Sequence, residues 1–141
     1  MVEMRAGLRS RLRRVVQRVE DQHRALREIT VELDRALASG SRESAHAWLT
    51  RMRDALRAHF ELEEEVVFPA LHGLDPDTLS EIEQLERDHG RLLERLRALL
   101  AGEPGATPLT PADVKGLRER LAAHELREEH LLEQALAGEG G

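Results

Sequence analysis

The segment HFELEEEVV at residues 59–67 returns as HELREEHLL at residues 124–132. Ala70-Leu71 then matches Ala135-Leu136, and upstream Glu20-Asp21-Gln22-His23 matches Glu86-Arg87-Asp88-His89. The lone histidine and the HxxxE pair are 36 residues apart in the first copy, His23 to His59, and 35 in the second, His89 to His124. The chain is therefore two copies of one unit. Apolar residues three and four apart, as in Leu12, Val16, Val19, His23, Leu26, Thr30, Leu33 and Leu37, mark that unit as helical. Each copy is a helical hairpin carrying H and then HxxxE. Two such hairpins bury their apolar faces only against each other, about a pseudo-twofold axis.

Start and stop signals give four helices. The first runs from about Leu8 to Ala38 and ends at Gly40. The second follows the N-cap candidate Ser41 and reaches about Leu71, with Pro69 expected to kink or end its last turn. The third opens at Asp75-Pro76 and runs to about Leu100. The linker AGEPGATPLT leads to a fourth helix, whose start at Thr110-Pro111-Ala112-Asp113 has the pattern of a capping box. The expected fold is all-α: an up-down-up-down four-helix bundle with an internal helical-hairpin repeat. It forms one domain over residues 1–141, helical over about 8–137, with a short flexible Gly-rich C-terminal tail. Aromatic residues are only 2% of the chain, far fewer than a β-sandwich or barrel needs.

Positions four apart on a helix share a face, about 6 Å apart along the axis. Each HxxxE therefore presents an imidazole and a carboxylate together, and His23 and His89 lie on the apolar stripes of their own helices. Four histidines and two glutamates converge in one layer. Burying them without a cation is unfavourable, and metal ions resolve the problem. Imidazole with carboxylate and no thiolate suits iron, zinc or manganese. Two carboxylates on facing helices suit a dinuclear site, with two histidines per metal and Glu63 and Glu128 as bridges. Iron is favoured because a symmetric two-metal site suits oxygen chemistry.

His46, His72 and His130 lie near helix ends or on a solvent face and read as surface histidines, and Glu64, Glu65 and Glu129 as solvated carboxylates. The basic start, with Arg5, Arg9, Arg11, Arg13 and Arg14, reads as a solvated helix end, so no nucleic-acid partner is expected. The net charge of −6 implies no partner by itself. Cysteine is absent, which excludes disulfides, thiolate catalysis and Cys-ligated metal sites. No stretch is long and apolar enough for a signal peptide or membrane span, so the expected location is the cytoplasm.

The order H, HxxxE, H, HxxxE and the segment HFELEEEVVFPAL, with its Phe68-Pro69 pair, resemble the hemerythrin-like (HHE) domain family from His23 to Leu136. The resemblance implies an oxo- or hydroxo-bridged non-haem diiron centre. In it His23, His59, His89 and His124 are terminal ligands, and Glu63 and Glu128 are bridges. The sequence departs from oxygen-carrying members, which have HxxxH on the third helix and HxxxxD on the fourth. Here Leu93 stands four after His89, and the fourth helix has HxxxE. One histidine ligand is missing. Open positions on both metals favour reaction with dioxygen, hydrogen peroxide or nitric oxide over reversible oxygen carriage. Glu86, and less so Glu20, each three before a core histidine, are candidates for further ligands or for carboxylates that orient an imidazole. The expected function is oxidase- or catalase-like redox chemistry. The alternatives are iron or oxygen sensing, storage or delivery without turnover, and a reversible dioxygen carrier.

Overall fold

The computed structural model describes residues 6–71, 76–101 and 109–140. Helix α1 spans Ala6–Ala38 and α2 spans Arg42–Leu62. A π-helical turn, Glu63–Val67, carries α2 directly into the short α3, Phe68–Leu71. Helices α4, Pro76–Leu100, and α5, Pro111–Gly140, complete the molecule. Four helical rods pack as a bundle in which α1 touches α2 and α5, and α4 touches α2 and α5. Each rod thus lies beside its neighbours in sequence, as short connections require.

The α1–α2 corner shows how local sequence sets this geometry. Gly40 takes a φ of 78°, a left-handed conformation that only glycine adopts cheaply. Its N–H donates to the Leu37 carbonyl, and the Ser41 N–H to the Ala36 carbonyl, which closes α1 in a Schellman motif. The Ser41 hydroxyl then accepts from the Ser44 N–H and caps α2. At α5, the Thr110 N–H donates to Asp113 Oδ2 at 3.0 Å, and the Asp113 N–H donates to Thr110 Oγ1 at 3.2 Å. This is the reciprocal capping box read from the sequence. Asp75 and His72 lie outside the described residues.

Two features differ from expectation. The irregularity in α2 lies ahead of Pro69, in the π turn, where the Phe68 N–H reaches back five residues to the Glu63 carbonyl. Proline at 69 has no N–H to give, and its ring crowds the carbonyl four residues earlier; widening the preceding turn relieves both. The C-terminal helix also runs past the expected bound near residue 137, because α5 continues to Gly140.

The core is split. One apolar cluster contains Leu26, Leu33, Leu49, Leu56, Phe60, Leu92, Leu96 and Leu117. The other contains Val19, Val67, Phe68, Leu71, Ile82, Leu85, Leu131 and Leu132. Along α1 the order is Val19, His23, Leu26, and along α4 it is Leu85, His89, Leu92. The histidines therefore stand in a polar layer between two greasy ends. Burial of eight or more large side chains on each side stabilises the bundle, at about 1.5–3 kcal/mol for each side chain fully buried. That burial is what holds the polar layer shut.

Candidate metal centre

His23, His59, Glu63, His89, His124 and Glu128 are all buried, each no more than 3% exposed. His23 Nε2 lies 3.1 Å from His59 Nε2. Glu63 Oε1 stands 3.2 Å from His59 Nε2 and 3.2 Å from His89 Nε2, so it spans the two hairpins. Glu128 does the same from the opposite side: Oε1 is 2.8 Å from His124 Nε2, and Oε2 is 3.7 Å from His59 Nε2. The donors form two compact groups, Glu63 with His89, His124 and Glu128, and His23 with His59 and Glu128. Glu128 belongs to both.

Outward-facing Nδ1 atoms meet a second set of side chains. His59 Nδ1 is 2.6 Å from Gln22 Oε1. A carbonyl oxygen only accepts, so the imidazole donates from Nδ1 and its Nε2 lone pair is left pointing inward. His124 Nδ1 lies 3.5 Å from Asp88 Oδ2, and His89 Nδ1 lies 3.6 Å from Glu64 Oε1. Arg127 fixes Asp88 at 2.6 Å. Gln22 and Asp88 are matching positions of the repeat, each just before a core histidine and each facing the imidazole of its own hairpin's other helix.

The electrostatics show what this layer lacks. Burial pulls His59 down to about 4. His23 falls to about 3 through burial, helped by His59 and Arg27. His89 falls to about 2 through burial and then the neighbouring histidines. Burial takes His124 to about 4 against the opposing pull of Asp88. The Glu63 carboxyl is raised well above its ordinary range by burial, then by Glu64 and Glu125. Neutral imidazoles cannot compensate a buried carboxylate. Both oxygens of Glu63 and of Glu128, and both ring nitrogens of His89 and His124, lack hydrogen-bond partners. The 2.8 Å His124–Glu128 approach does not have the angles of a hydrogen bond. Unpaired polar atoms at this depth are costly. A bound cation takes up these inward lone pairs, so the donor set fits a metal.

Residues 14–136, reaching into all four rods, match the family described as Hemerythrin HHE cation binding domain. The chain belongs to the hemerythrin HHE family. No curated protein and no solved structure matches the sequence. Within this HHE domain, Glu20 and Glu86 are exposed and stand in neither compact group. A residue three before a core histidine is rotated about 60° to one side of it, which here turns both carboxylates to solvent. His46 and His130 are exposed, as expected of surface histidines. Leu93 is half-buried against the first apolar cluster.

Sequence reasoning passed over Gln22, Asp88 and Glu125 as partners of the polar layer. Their signal was the residue beside each histidine, which helical spacing alone assigns to a flank. Glu125 is buried, unlike the other glutamates that flank the HxxxE motifs, Glu61, Glu64, Glu65 and Glu129. Asp88, Arg91, Leu92, Arg120, Ala123, His124 and Arg127 line a groove between α4 and α5, on the Asp88 side of His124. Among the described residues no helix is long and apolar enough to cross a membrane.

Proposed function

We propose that this HHE domain holds two iron ions and reacts with dioxygen, hydrogen peroxide or nitric oxide, in oxidase- or catalase-like chemistry. One observation carries the reading: two histidine pairs joined by two buried carboxylates whose oxygens have no hydrogen-bond partner. His23 and His59 would hold one ion, His89 and His124 the other, with Glu63 and Glu128 shared. Bound iron supplies one-electron redox chemistry and exchangeable coordination positions for small oxidants. The protein's part is to hold and shield. Gln22 fixes the His59 tautomer, Asp88 orients His124, and the apolar clusters on either side keep bulk water from the layer. Leu93 supplies no imidazole where oxygen carriers have one, which favours reaction over reversible binding.

A second reading, iron or oxygen sensing, storage or delivery without turnover, is favoured by the unpaired atoms themselves. A fold with this many unsatisfied buried groups gains stability directly from metal, so occupancy would report on iron supply. Peroxide turnover by the iron-loaded protein without loss of iron supports the first reading. Strong metal-dependent stabilisation with no turnover supports the second.

A further inference from the structure

Among the described residues, Glu125 is the buried carboxylate that the six-residue site leaves unused. It is 8% exposed, and its Oε1 has no hydrogen-bond partner. Oε2 stands 3.7 Å from a guanidinium nitrogen of Arg27, beyond hydrogen-bond length, and the Arg27 side chain is 61% exposed. One solvated, distant cation is poor compensation for a carboxylate held at this depth.

Its place in the bundle says which ion it serves. Glu125 precedes Glu128 by three residues, one turn along the same side of α5. His124 turns toward Asp88 of α4, whereas Glu125 turns toward Arg27 of α1. Arg27 follows His23 by four residues, on the same face of α1. Glu125 therefore lies on the His23 side of the layer. That side has the smaller compact group, His23, His59 and Glu128, against the four donors opposite. The repeat supplies an internal control. Phe60 occupies the position matching Glu125, and its ring stacks on His89 with centroids 3.8 Å apart. Leu93 matches Arg27 and packs in the apolar cluster around Phe60. Where the second hairpin's histidine is backed by an apolar pair, the first hairpin's is backed by an acid and a base.

Resting on the dinuclear reading above, we propose that Glu125 is a seventh protein ligand, a terminal carboxylate for the ion held by His23 and His59, and that Arg27 competes for it. Glu125 stands outside both compact groups while it faces Arg27, so coordination requires its side chain to turn from the guanidinium. The two ions are then unequal by construction: one has a ligand that a surface arginine can withdraw.

Zinc titration against a chromophoric chelator tests this on the whole chain, with circular dichroism as the check of folding. Glu125→Gln keeps the side chain's shape and removes its charge. It should lower the affinity for one of the two zinc ions by more than about 100-fold, beyond the roughly 10–100-fold typical of a residue that merely orients a ligand. Glu125→Ala should do the same. Arg27→Ala should act in the opposite direction, raising the affinity for that ion about two- to fivefold, the worth of an exposed ion pair. Two zinc ions bound with wild-type affinity by Glu125→Gln would overturn the proposal, as would a loss confined to Glu125→Ala, which marks packing. Should both Glu125 variants fail to fold, an unchanged affinity in Arg27→Ala overturns it alone. A wild-type chain that binds no zinc or iron refutes the dinuclear reading itself, a result distinct from all of these.

Discussion

The two hairpins are copies with different surroundings. Both place a histidine on one helix and HxxxE on the next, and both set a polar residue just before the lone histidine to face an outward Nδ1. In the first hairpin that residue is the neutral Gln22; in the second it is Asp88, held by Arg127. The first hairpin delivers Glu63 from a π turn, whereas α5 carries Glu128 as a regular α-helix. Phe60 in one becomes Glu125 in the other. Repetition thus gives the inward donors their symmetry, and the residues one step out remove it. In the proposed dinuclear reading, the two ions would share Glu63 and Glu128 but not their surroundings.

The largest effect should come from what the hairpins share. Glu63→Ala and Glu128→Ala should each cut metal content from near two ions per chain to below one, because each carboxylate lies against both histidine pairs. His46→Ala and His130→Ala should retain wild-type content by elemental analysis, since both side chains are exposed. A His130 variant that lost metal as readily as Glu63→Ala would refute the assignment of the shared layer.

The outer residues should separate the hairpins. Asp88→Asn and Gln22→Ala should each lower metal affinity about 10–100-fold, with Asp88→Asn toward the larger value because it loses a charge-assisted partner. Competition with a chelator measures this. Equal losses would mean that the charge on Asp88 adds nothing to the second hairpin.

Acid and metal act on both hairpins together. The four core histidines, at about 2 to 4 in the folded chain, ordinarily titrate at 6.5, so the unfolded state binds protons first. Their contribution to stability is present above 6.5 and is lost as pH falls below it. Glu63 has the opposite sign. Its carboxyl is raised well above 4.5 in the fold, so the unfolded state ionises first and stability drains as pH rises through that range. Metal requires neutral imidazoles and a deprotonated carboxylate. The gap in melting temperature between zinc-loaded and metal-free protein should therefore widen from pH 5 to pH 8. A gap independent of pH would contradict the proton release expected from Glu63.

The smallest effect should be at Glu86. Its side chain is exposed and outside both groups, so Glu86→Gln should leave metal affinity and the optical spectrum unchanged. A spectral change there would return Glu86 to the site.

The inward residues were legible because a repeat at helical spacing is a geometric statement: His59 and Glu63 must share a face, and so must His124 and Glu128. The fold followed from the same periodicity. The outer residues were hidden because their roles depend on contacts between helices. Glu86 and Asp88 both lie within three residues of His89, yet Asp88 faces α5 while Glu86 faces solvent. Only the packing of α4 against α5 separates them. The π turn was hidden for a related reason. Pro69 announced a disturbance, but the backbone absorbs it upstream, in the turn that carries Glu63.

Metal content with an optical spectrum, taken on protein purified in air after iron-replete expression, tests the central claim most directly. The account predicts about two irons per chain and a ligand-to-metal charge-transfer absorption characteristic of a coupled pair. It also predicts that removing the iron lowers the melting temperature, because the four carboxylate oxygens of Glu63 and Glu128 and the inward Nε2 atoms of His89 and His124 lose their partner. A protein that takes up no iron and melts at the same temperature with or without metal would contradict it.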